Sequence, residues 1–342
     1  MNPVIFMFPT SDQININESK LVYDSQPSPK LIKYGFNNIN EELDILSLTS
    51  NPYYRVGLNF DFERNDENSI VSIASKFFNY DGFNKKYAEL WEIINNFKLL
   101  DNSNNIATSH PEIVTNISIN YNKLRDKNYK HQIFGLDTNK KCNLVIDRFS
   151  DVDVEENAVV QYIINHLGNL LNKQLVGSNM VIQMFSTQTQ TTAELIYYLS
   201  ALYNQAYIMR PIISSDFSDE KYLVLLGLKE IPKLPDFLSS DNTYIISFGL
   251  NVPGNIMSII QCLNSYIMPQ KYIRYNKIKQ YLDTKVYEGA TYQDMINSQN
   301  KDTQNWMNTY TDLSNINNML DKNIEFTSKN CLLESGLTDL LN

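Results

Sequence analysis

Glycine is scarce in this chain: it supplies 11 of the 342 residues, and none lies between Gly82 and Gly135. A loop that wraps its backbone around a phosphate or a nucleotide cofactor usually contains glycine, because glycine adopts positive φ at little cost and lets the backbone come close to a ligand. The sequence therefore excludes a glycine-rich cofactor loop from that whole stretch.

Cysteine, histidine and long apolar runs are also scarce. The three cysteines, Cys142, Cys262 and Cys331, form no CxxC pair, so neither a disulfide framework nor a zinc site is indicated. The three histidines are scattered along the chain, which gives no support for a metal centre or a Ser-His-Asp triad. No run approaches the ~18 apolar residues that span a bilayer, and the N-terminus lacks the basic region of a signal peptide. These absences predict a soluble intracellular protein that holds no metal and does not associate with membranes.

Acidic side chains outnumber basic ones, 38 to 29, which gives a formal net charge of −9. Such a chain is a poor nonspecific binder of nucleic acid, so DNA is not an expected partner and any RNA contact needs a local basic patch. The candidates for a patch that contacts RNA or a protein partner are Arg210, Lys271, Arg274 and Lys277. The alternative for the last three is an ordinary solvated helix face. Trp306 and Tyr310 either anchor a protein contact or, as we favour slightly, pack the C-terminal helices onto the sheet.

Apolar periodicity predicts an α/β fold with a doubly wound, mostly parallel sheet. Two strands are expected near the N-terminus, at Val4–Phe8 and Tyr54–Phe60. The predicted elements that follow are a helix at Asn84–Leu99, a strand at Leu144–Ile146, a helix at Glu155–Leu175, a turn at Gly177–Asn179, a strand at Met180–Phe185, a helix at Thr191–Tyr203, and strands at Ala206–Met209 and Tyr222–Leu228. The last two strands are joined without a helix, which predicts an antiparallel pair.

Beyond Gly254 the pattern is helical. Helices are predicted at Gly254–Tyr266, Gln270–Tyr287, Tyr292–Tyr310 and Asp312–Asp321, followed by a frayed end. The chain therefore divides into an N-terminal extension (1–80) packed on the core, an α/β domain (81–250) and a C-terminal helical region (251–342).

Five segments carry a resemblance to a known family. They are KYAELWEI (86–93), NLVIDR (143–148), GSNMVIQMF (177–185), AYIMRP (206–211) and SSDFSDEKYLVLLG (214–227). In this order and spacing they resemble the FtsJ-like RNA 2′-O-ribose methyltransferases, which include viral cap methyltransferases and read roughly YKLxEI, DLVxxD, GGxxVxKxF and KPxxSRxxSxExYxV. The resemblance covers about residues 86–229, and it implies a sheet of the Rossmann-like methyltransferase type.

The family's catalytic tetrad is Lys-Asp-Lys-Glu, in which the central lysine takes the proton of the ribose 2′-hydroxyl. By the resemblance, the tetrad positions fall on Glu89, Asp147, Gln183 and Glu220. Both carboxylates are kept, but the first lysine is reversed in charge and the central lysine becomes an amide. A glutamine can orient a hydroxyl, but it cannot act as a general base. A cluster of Glu89, Asp147 and Glu220 would repel unless a cation relieves it; we expect Glu89 to turn outward or pair with a lysine.

The cofactor loop departs from the family as well. Where the family has a Pro-Gly-Gly turn for S-adenosylmethionine, this chain has a loop from Ile106 to Glu112 whose candidate binding residues are Thr108, Ser109, His110, Pro111 and Glu112. Larger side chains thus fill the glycine positions. A Ser-Arg pair that positions substrate in the family becomes Ser215–Asp216, while Arg210 keeps the positive charge of the family's Lys-Pro.

These departures imply a methyltransferase fold without its chemistry and without a bound cofactor. In kind the chain is similar to the small subunit of poxvirus mRNA-capping enzyme, which looks like a 2′-O-methyltransferase without its active site, binds the catalytic subunit and stimulates cap guanine-7 methylation. We therefore expect a noncatalytic subunit of a viral capping or RNA methylation complex, forming a heterodimer with the catalytic capping or methyltransferase subunit in the host cytoplasm or virion of a large DNA virus.

Two alternatives stay open. The chain could be an active S-adenosylmethionine-dependent methyltransferase of the mRNA cap or ribosomal RNA, with Lys85 or Lys86 as the base. It could also be a free RNA-binding module, against which the net charge of −9 argues.

Overall fold

The protein has an α/β architecture built on a mixed, mostly parallel sheet with helices at its C-terminal end. The computed structural model describes residues 2–9, 21–26, 30–32, 43–230, 244–316 and 319–334. The main sheet has seven strands in the order β1-β7-β8-β6-β5-β3-β4, and β2 and β9 form a separate antiparallel pair. Strands β4, β3, β5, β6 and β7 run in one direction, and β8 and β1 run against them.

The strands are β1 (Val4–Phe8), β2 (Val22–Asp24), β3 (Asn105–Thr108), β4 (Gln132–Gly135), β5 (Cys142–Asp147), β6 (Gln174–Met184), β7 (Tyr203–Arg210), β8 (Lys221–Leu228) and β9 (Tyr244–Ser247). The helices are α1 (Ile45–Thr49), α2 (Ile70–Phe78), α3 (Lys85–Asn96), α4 (Pro111–Leu124), α5 (Glu156–Asn172), α6 (Gln190–Ala201), α7 (Gly254–Asp283), α8 (Ala290–Thr311), α9 (Leu313–Ile316) and α10 (Met319–Glu334). A 3-10 helix covers Pro52–Gly57.

Both faces of the sheet are covered by apolar side chains. Successive residues of a strand point to opposite faces. Accordingly Val145 of β5 belongs to a core shared with α5, α6 and α7, whereas Leu144 and Ile146 belong to a second core shared with α2, α3, α4 and α8. The predicted α/β class, the mostly parallel sheet and the antiparallel pair β7–β8 are confirmed.

The predicted strand at 54–60 is wrong, because the chain forms a 3-10 helix at Pro52–Gly57. Asn51 caps this helix by accepting a hydrogen bond from the Tyr53 amide at 3.1 Å, and Pro52 occupies its first turn. Proline is favoured at that position because its missing N–H would be unsatisfied there in any case. The local start signal therefore outweighs the apolar alternation that follows it.

The two helices predicted at 254–266 and 270–287 are one helix, α7, which continues through Pro269. Proline inside a helix costs about 3 kcal/mol, since it removes a hydrogen bond and crowds the preceding turn. Here Ile260, Leu263 and Ile267 before the proline and Ile278 after it are all buried. We infer that this packing offsets the cost.

Three further predictions need correction. The turn expected at 177–179 lies inside β6, where the pairing with β5 shifts register and Gly177 has a φ of +83°. The segment expected as a cofactor loop contains β3 and the first turn of α4, so that only Ser109 and His110 separate strand from helix. The frayed end begins later than expected, because α10 runs to Glu334 and lies along β1. Residues 335–342 lie outside the described ranges.

The C-terminal helices are joined to the sheet by buried polar contacts as well as apolar ones. Trp306 and Tyr310 of α8 are buried, which confirms the packing role favoured from the sequence. The amide of Ile5 in β1 donates to the Thr327 hydroxyl of α10 at 3.1 Å. Within the described ranges, no helix is long and apolar enough to cross a membrane.

Candidate functional site

The carboxyl ends of the parallel strands bring the candidate residues to one edge of the sheet. Asp147 ends β5, Gln183 precedes the last residue of β6, and Arg210 ends β7. Because β8 is antiparallel to β6, its first residue, Lys221, pairs with Met184 at the same edge. In open α/β sheets this edge is where ligands bind, so the placement itself marks a candidate site.

Six side chains from four elements form a buried polar cluster at this edge. They are Lys85 and Glu89 of α3, Arg148 after β5, Gln183 of β6, Glu220 before β8, and Tyr222 of β8. All except Lys85 are at most 1% exposed, whereas the side chain of Lys85 is 25% exposed. The buried polar cluster contains two basic side chains and two carboxyl groups, so groups of opposite charge can pair within it.

Ion pairs join the two carboxylates of the cluster through shared cations. The Lys85 ammonium lies 2.7 Å from Glu220 and 3.2 Å from Glu89. The Arg148 guanidinium lies 3.1 Å from Glu89 and 3.3 Å from Glu220. Buried charges are tolerated only when they are paired and hydrogen-bonded in this way. The expected pairing of Glu89 with a lysine is present, and Arg148 is a second partner that the sequence analysis missed.

Gln183, which the resemblance aligns with the family's central lysine, has a fully engaged amide. Its Oε1 accepts from the backbone amides of Phe149 and Ser150, each at 2.9 Å. Its Nε2 donates to the Ser150 carbonyl at 2.8 Å and to the Glu220 carboxylate. The side chain thus fixes the loop after β5 to the start of β8, and no donor or acceptor of the amide is left for a substrate hydroxyl.

Tyr222 completes the cluster, since its hydroxyl shares its one proton between Glu220, at 2.9 Å, and Glu89, at 3.2 Å. Burial, with the charges of Glu89 and Glu220, raises the pKa of Tyr222 well above its ordinary value. The phenol therefore stays protonated and acts as a donor, not as a base.

The two carboxyls of the cluster titrate unequally. Burial and the charge of Glu220 raise the pKa of Glu89 to about 8. Burial acts on Glu220 in the same sense, but Lys85, the Glu89 carboxyl and Arg148 together hold its pKa below the ordinary value. For Lys85 burial lowers the pKa, yet the carboxylates of Glu89 and Glu220 raise it above the ordinary value of 10.5. Glu89 is therefore the more readily protonated carboxyl, and Lys85 holds its proton firmly.

Asp147 stands apart from the other positions that the resemblance assigns to a tetrad. In the described part of the chain its carboxylate accepts hydrogen bonds from the Tyr162 hydroxyl of α5, at 3.2 and 3.4 Å. Burial raises its pKa. Alternation along β5 directs Asp147 to the α5 face and Arg148 to the α3 face, where Glu89 lies. The structure thus brings Glu89, Gln183 and Glu220 together and places the neighbouring Arg148, not Asp147, among them.

The connection between β3 and α4 is closed by hydrogen bonds to β5. The Ser109 hydroxyl accepts from the Arg148 amide at 2.9 Å and donates to the Arg148 carbonyl at 3.0 Å. The Ser109 amide donates to the Ile146 carbonyl at 3.1 Å, and His110 Nδ1 lies 3.1 Å from the Ser109 hydroxyl. Thr108 is buried, Pro111 begins α4 and Glu112 is exposed in its first turn. Protein groups therefore bridge the crevice between β3 and β5, and the residues present do not fit a backbone cradle for S-adenosylmethionine.

Asp216, which the resemblance aligns with a substrate arginine, also makes contacts within the protein. Its carboxylate accepts from the amide and the side chain of Asn59, at 2.7 and 2.6 Å, and lies 3.5 Å from the Arg274 guanidinium. Of the other predicted contact residues, Lys271 pairs with Asp219 at 2.7 Å and Lys277 is exposed. Arg210, Lys271 and Arg274 lie together around one cavity, which Lys277 does not line.

A second buried carboxyl, Glu92, was not predicted from the sequence. It is on α3, it is fully buried, and it accepts from the Trp306 indole at 2.8 Å and the Tyr310 hydroxyl at 3.2 Å. The amides of Ile212 and Ile213 also donate to it, at 2.8 and 3.0 Å. A glutamate in a helix that is otherwise rich in apolar residues was the available signal, but only tertiary structure shows which groups it meets.

The arrangement supports binding and structure better than proton transfer. Each ionised group of the buried polar cluster is held by an opposite charge, and the amide of Gln183 carries no proton that it can exchange. No group of three or more His, Cys, Asp or Glu side chains within the described residues is placed to hold a metal ion. The class defined by fold and site is therefore an α/β protein with a buried ion-paired cluster at the carboxyl edge of its sheet.

One similar protein defines the family. The chain is 45% identical over 355 residues to "Uncharacterized protein R383" of Acanthamoeba polyphaga mimivirus, and the match covers 100% of both proteins. The chain belongs to the same family as this mimivirus protein, and the relative's source indicates a viral origin. No family model matches the chain.

Proposed function

We propose that the chain is a catalytically degenerate protein of the FtsJ-like methyltransferase fold, which acts as a noncatalytic, partner-binding subunit of a viral mRNA capping or RNA methylation complex. The observation that carries the proposal is the state of Gln183. It stands at the position of the catalytic lysine, and both its polar atoms are consumed by Phe149, Ser150 and Glu220. A site of this kind has no general base at its centre.

The strand order supports the fold part of the proposal. Reading β4-β3-β5-β6-β8-β7 along the sheet gives parallel strands interrupted by one antiparallel strand next to the last position. The resemblance implies a mostly parallel sheet in which β3 precedes the cofactor turn, and β1 lies outside its segments and adds an edge strand. The viral relative supports the proposed setting in the host cytoplasm or the virion.

The bridged crevice supports the loss of cofactor binding. A methyltransferase needs room for its cofactor beside the backbone that follows the first strand. Here that backbone follows β3, and the Ser109 hydroxyl connects it to the Arg148 backbone by hydrogen bonds of 2.9 and 3.0 Å. Reopening the crevice would require breaking both hydrogen bonds and replacing them with ligand contacts, which costs free energy before any binding occurs.

An active RNA 2′-O-methyltransferase is the second candidate, and Lys85 is the observation that favours it. This lysine brings an ammonium group to 2.7 Å from Glu220, keeps 25% of its side chain exposed and lines a cavity of about 150 Å³. It could replace the missing base only if it released its proton near neutral pH. The neighbouring carboxylates instead raise its pKa, which argues for a structural role.

Two assays test the proposal. The purified chain, incubated with labelled S-adenosylmethionine and capped RNA, should transfer no methyl group, and Lys85→Met should be indistinguishable from the wild type. Added to the catalytic capping subunit of its virus, the chain should raise cap guanine-7 methylation. Transfer by the chain alone that is lost in Lys85→Met would establish the enzyme instead, and absence of any effect on the catalytic subunit would contradict the regulatory role.

A further inference from the structure

A cavity of about 320 Å³ lies at the carboxyl edge of the sheet, outside the buried polar cluster. Its walls come from the residues before and in β1, the end of β7 with the loop that follows, Asn59, and the middle of α7. None of the six cluster residues lines it, and neither do residues 108–112. It is therefore a separate site, in part built from N-terminal and C-terminal segments that lie outside the methyltransferase resemblance.

The charge of the cavity is opposite to that of the protein. Its lining includes three cations, Arg210, Lys271 and Arg274, and one carboxylate, Asp216, although the chain as a whole carries a net charge of −9. Within the described part of the chain, Arg210 has no carboxylate at ion-pair distance; its guanidinium donates to the carbonyls of Ser218 and Ser215 at 2.7 and 2.9 Å. Burial lowers the pKa of Arg210. Arg210 is half-buried, and Asp219, Asp216 and Asp153 act on its charge only from beyond ion-pair distance, so its guanidinium can still pair directly with the anionic group of a ligand.

Donors remain available around the cavity. A guanidinium has five N–H groups and an ammonium has three. Arg210 uses two in the hydrogen bonds above, and Lys271 directs one to Asp219 at 2.7 Å. Gln270, which is exposed at the mouth, and Asn2 add neutral amide groups to the lining. A ligand with several acceptor oxygens, such as a phosphate, matches this set of donors.

Part of the lining is apolar. Val4, Pro211, Ile212 and Ile267 contribute aliphatic surface, and Tyr266 contributes an aromatic ring. Small-molecule sites combine an apolar wall with a few placed polar groups, and their volumes begin near ~300 Å³. The cavity is thus large enough for one phosphate group together with one ring system, and too small for a polymer to enter.

We propose that this cavity binds a small phosphate ester of about mononucleotide size, with its phosphate toward Arg210, Lys271 and Arg274 and its ring toward the apolar wall. The inference goes beyond the proposed function and does not depend on it, since it concerns neither S-adenosylmethionine nor catalysis. The alternative is that the cations serve only to hold α7 against Asn59 and Asp216, in which case the cavity would not bind a phosphate ester.

Calorimetry with the full chain tests the proposal, using AMP, adenosine and inorganic phosphate as separate probes. AMP should bind with a Kd in the micromolar range, about 10⁻⁶–10⁻⁴ M, and adenosine and phosphate should each bind at least about tenfold more weakly. Lys271→Gln should weaken AMP binding by about tenfold, because a charge-assisted hydrogen bond is lost. The matched control is Lys279→Gln, which removes the same charge from an exposed position of α7 and should leave the Kd unchanged.

Gln270→Trp provides a second variant that places a bulky side chain at the exposed mouth and should abolish AMP binding even if Lys271→Gln fails to fold. The proposal is overturned if AMP, GMP, CMP and UMP all fail to bind at millimolar concentration, or if both variants bind AMP like the wild type. Three other results would also contradict the proposal. If phosphate bound as tightly as AMP, the cavity would be an ion site only, and if adenosine bound as tightly as AMP, the cations would have no role. If only oligonucleotides bound, the cations would belong to an RNA-binding surface.

Discussion

Glu89 and Glu92 lie one helical turn apart on α3, both are fully buried, and burial raises the pKa of both. Their surroundings differ. Glu89 is held by the cations Lys85 and Arg148, whereas Glu92 is held by neutral donors from α8 and from the loop after β7. The first carboxyl belongs to the buried polar cluster at the carboxyl edge of the sheet, and the second joins the C-terminal helices to the sheet.

The comparison teaches that a buried carboxylate is not by itself a sign of catalysis. A catalytic carboxylate must meet a group that exchanges protons or a substrate. Around Glu89 the available partners are Arg148, which is ion-paired, Lys85, which holds its proton firmly, and Glu220, which is hydrogen-bonded to the Gln183 amide. Around Glu92 they are two backbone amides, an indole and a phenol. Both sites therefore serve the fold, one through charge compensation and the other through hydrogen bonds.

The largest expected effect is that of Arg148→Met. It removes the buried cation shared by Glu89 and Glu220, and breaking a buried pair from one side typically costs about 4 kcal/mol. Urea unfolding should show this loss in the free energy of unfolding. Arg55→Met, which breaks partly exposed pairs with Asp61 and Glu63, is the control and should cost no more than about 1 kcal/mol. Equal effects of the two changes would mean that the cluster is not a tightly coupled unit.

Glu92→Leu should cost about 3 kcal/mol, since it leaves four buried donors without an acceptor. The near-ultraviolet circular dichroism of Trp306 should change with it, because the indole loses its partner. Glu112→Leu, at an exposed position of α4, is the matched control and should leave both measurements nearly unchanged. A cost below about 1 kcal/mol would show that α8 is held by apolar packing alone.

The unfolding free energies of the wild type and of Glu92→Gln should depend differently on pH. Its pKa rises from 4.5 to about 7 on folding, chiefly through burial. The folded state thus keeps a proton that the unfolded chain releases, so the stabilisation is full below pH 4.5 and is lost as the pH rises through 7. Relative to Glu92→Gln, the wild type should lose about 3 kcal/mol of unfolding free energy over this window. A constant difference would mean that Glu92 is ionised throughout.

The smallest expected effect is that of Ser109→Ala. The change removes two hydrogen bonds to the Arg148 backbone and should cost about 1 kcal/mol in urea unfolding. It should not create affinity for S-adenosylmethionine, because the connection between β3 and α4 stays too short for a cofactor loop. Gain of cofactor binding in this variant would show that the serine alone closes the crevice.

Local sequence patterns predicted those helices and strands whose formation depends on their own residues. The apolar spacing of α3 and the buried run of β5 predicted both elements. The resemblance grouped Asp147 with Glu89, Gln183 and Glu220, but the structure brings only the last three together, and Asp147 faces α5. Partners that depend on packing were beyond such patterns. Alternation along β5 places Arg148, not Asp147, on the side of the sheet where Glu89 lies. Which residues of this short strand point to which side can be assigned only once the two cores are known.

Other errors have equally local causes. Pro269 indicated a break in α7, but apolar residues on both sides of it are buried and keep the helix continuous. The resemblance predicts a loop from Ile106 to Glu112, but all of these residues except Ser109 and His110 belong to β3 or to the start of α4. The partners of Glu92 could not be predicted, because they come from the loop after β7, 120 and 121 residues away in the sequence, and from α8, 214 and 218 residues away.

The most direct test of the central claim is a calorimetric titration of the wild-type chain with S-adenosylmethionine. The account predicts no heat of binding up to millimolar ligand, because the crevice between β3 and β5 is bridged by Ser109 and no glycine turn is present. Binding in the micromolar range, about −8 kcal/mol, at a site sensitive to Ser109 or His110 would contradict it and restore the case for an active methyltransferase.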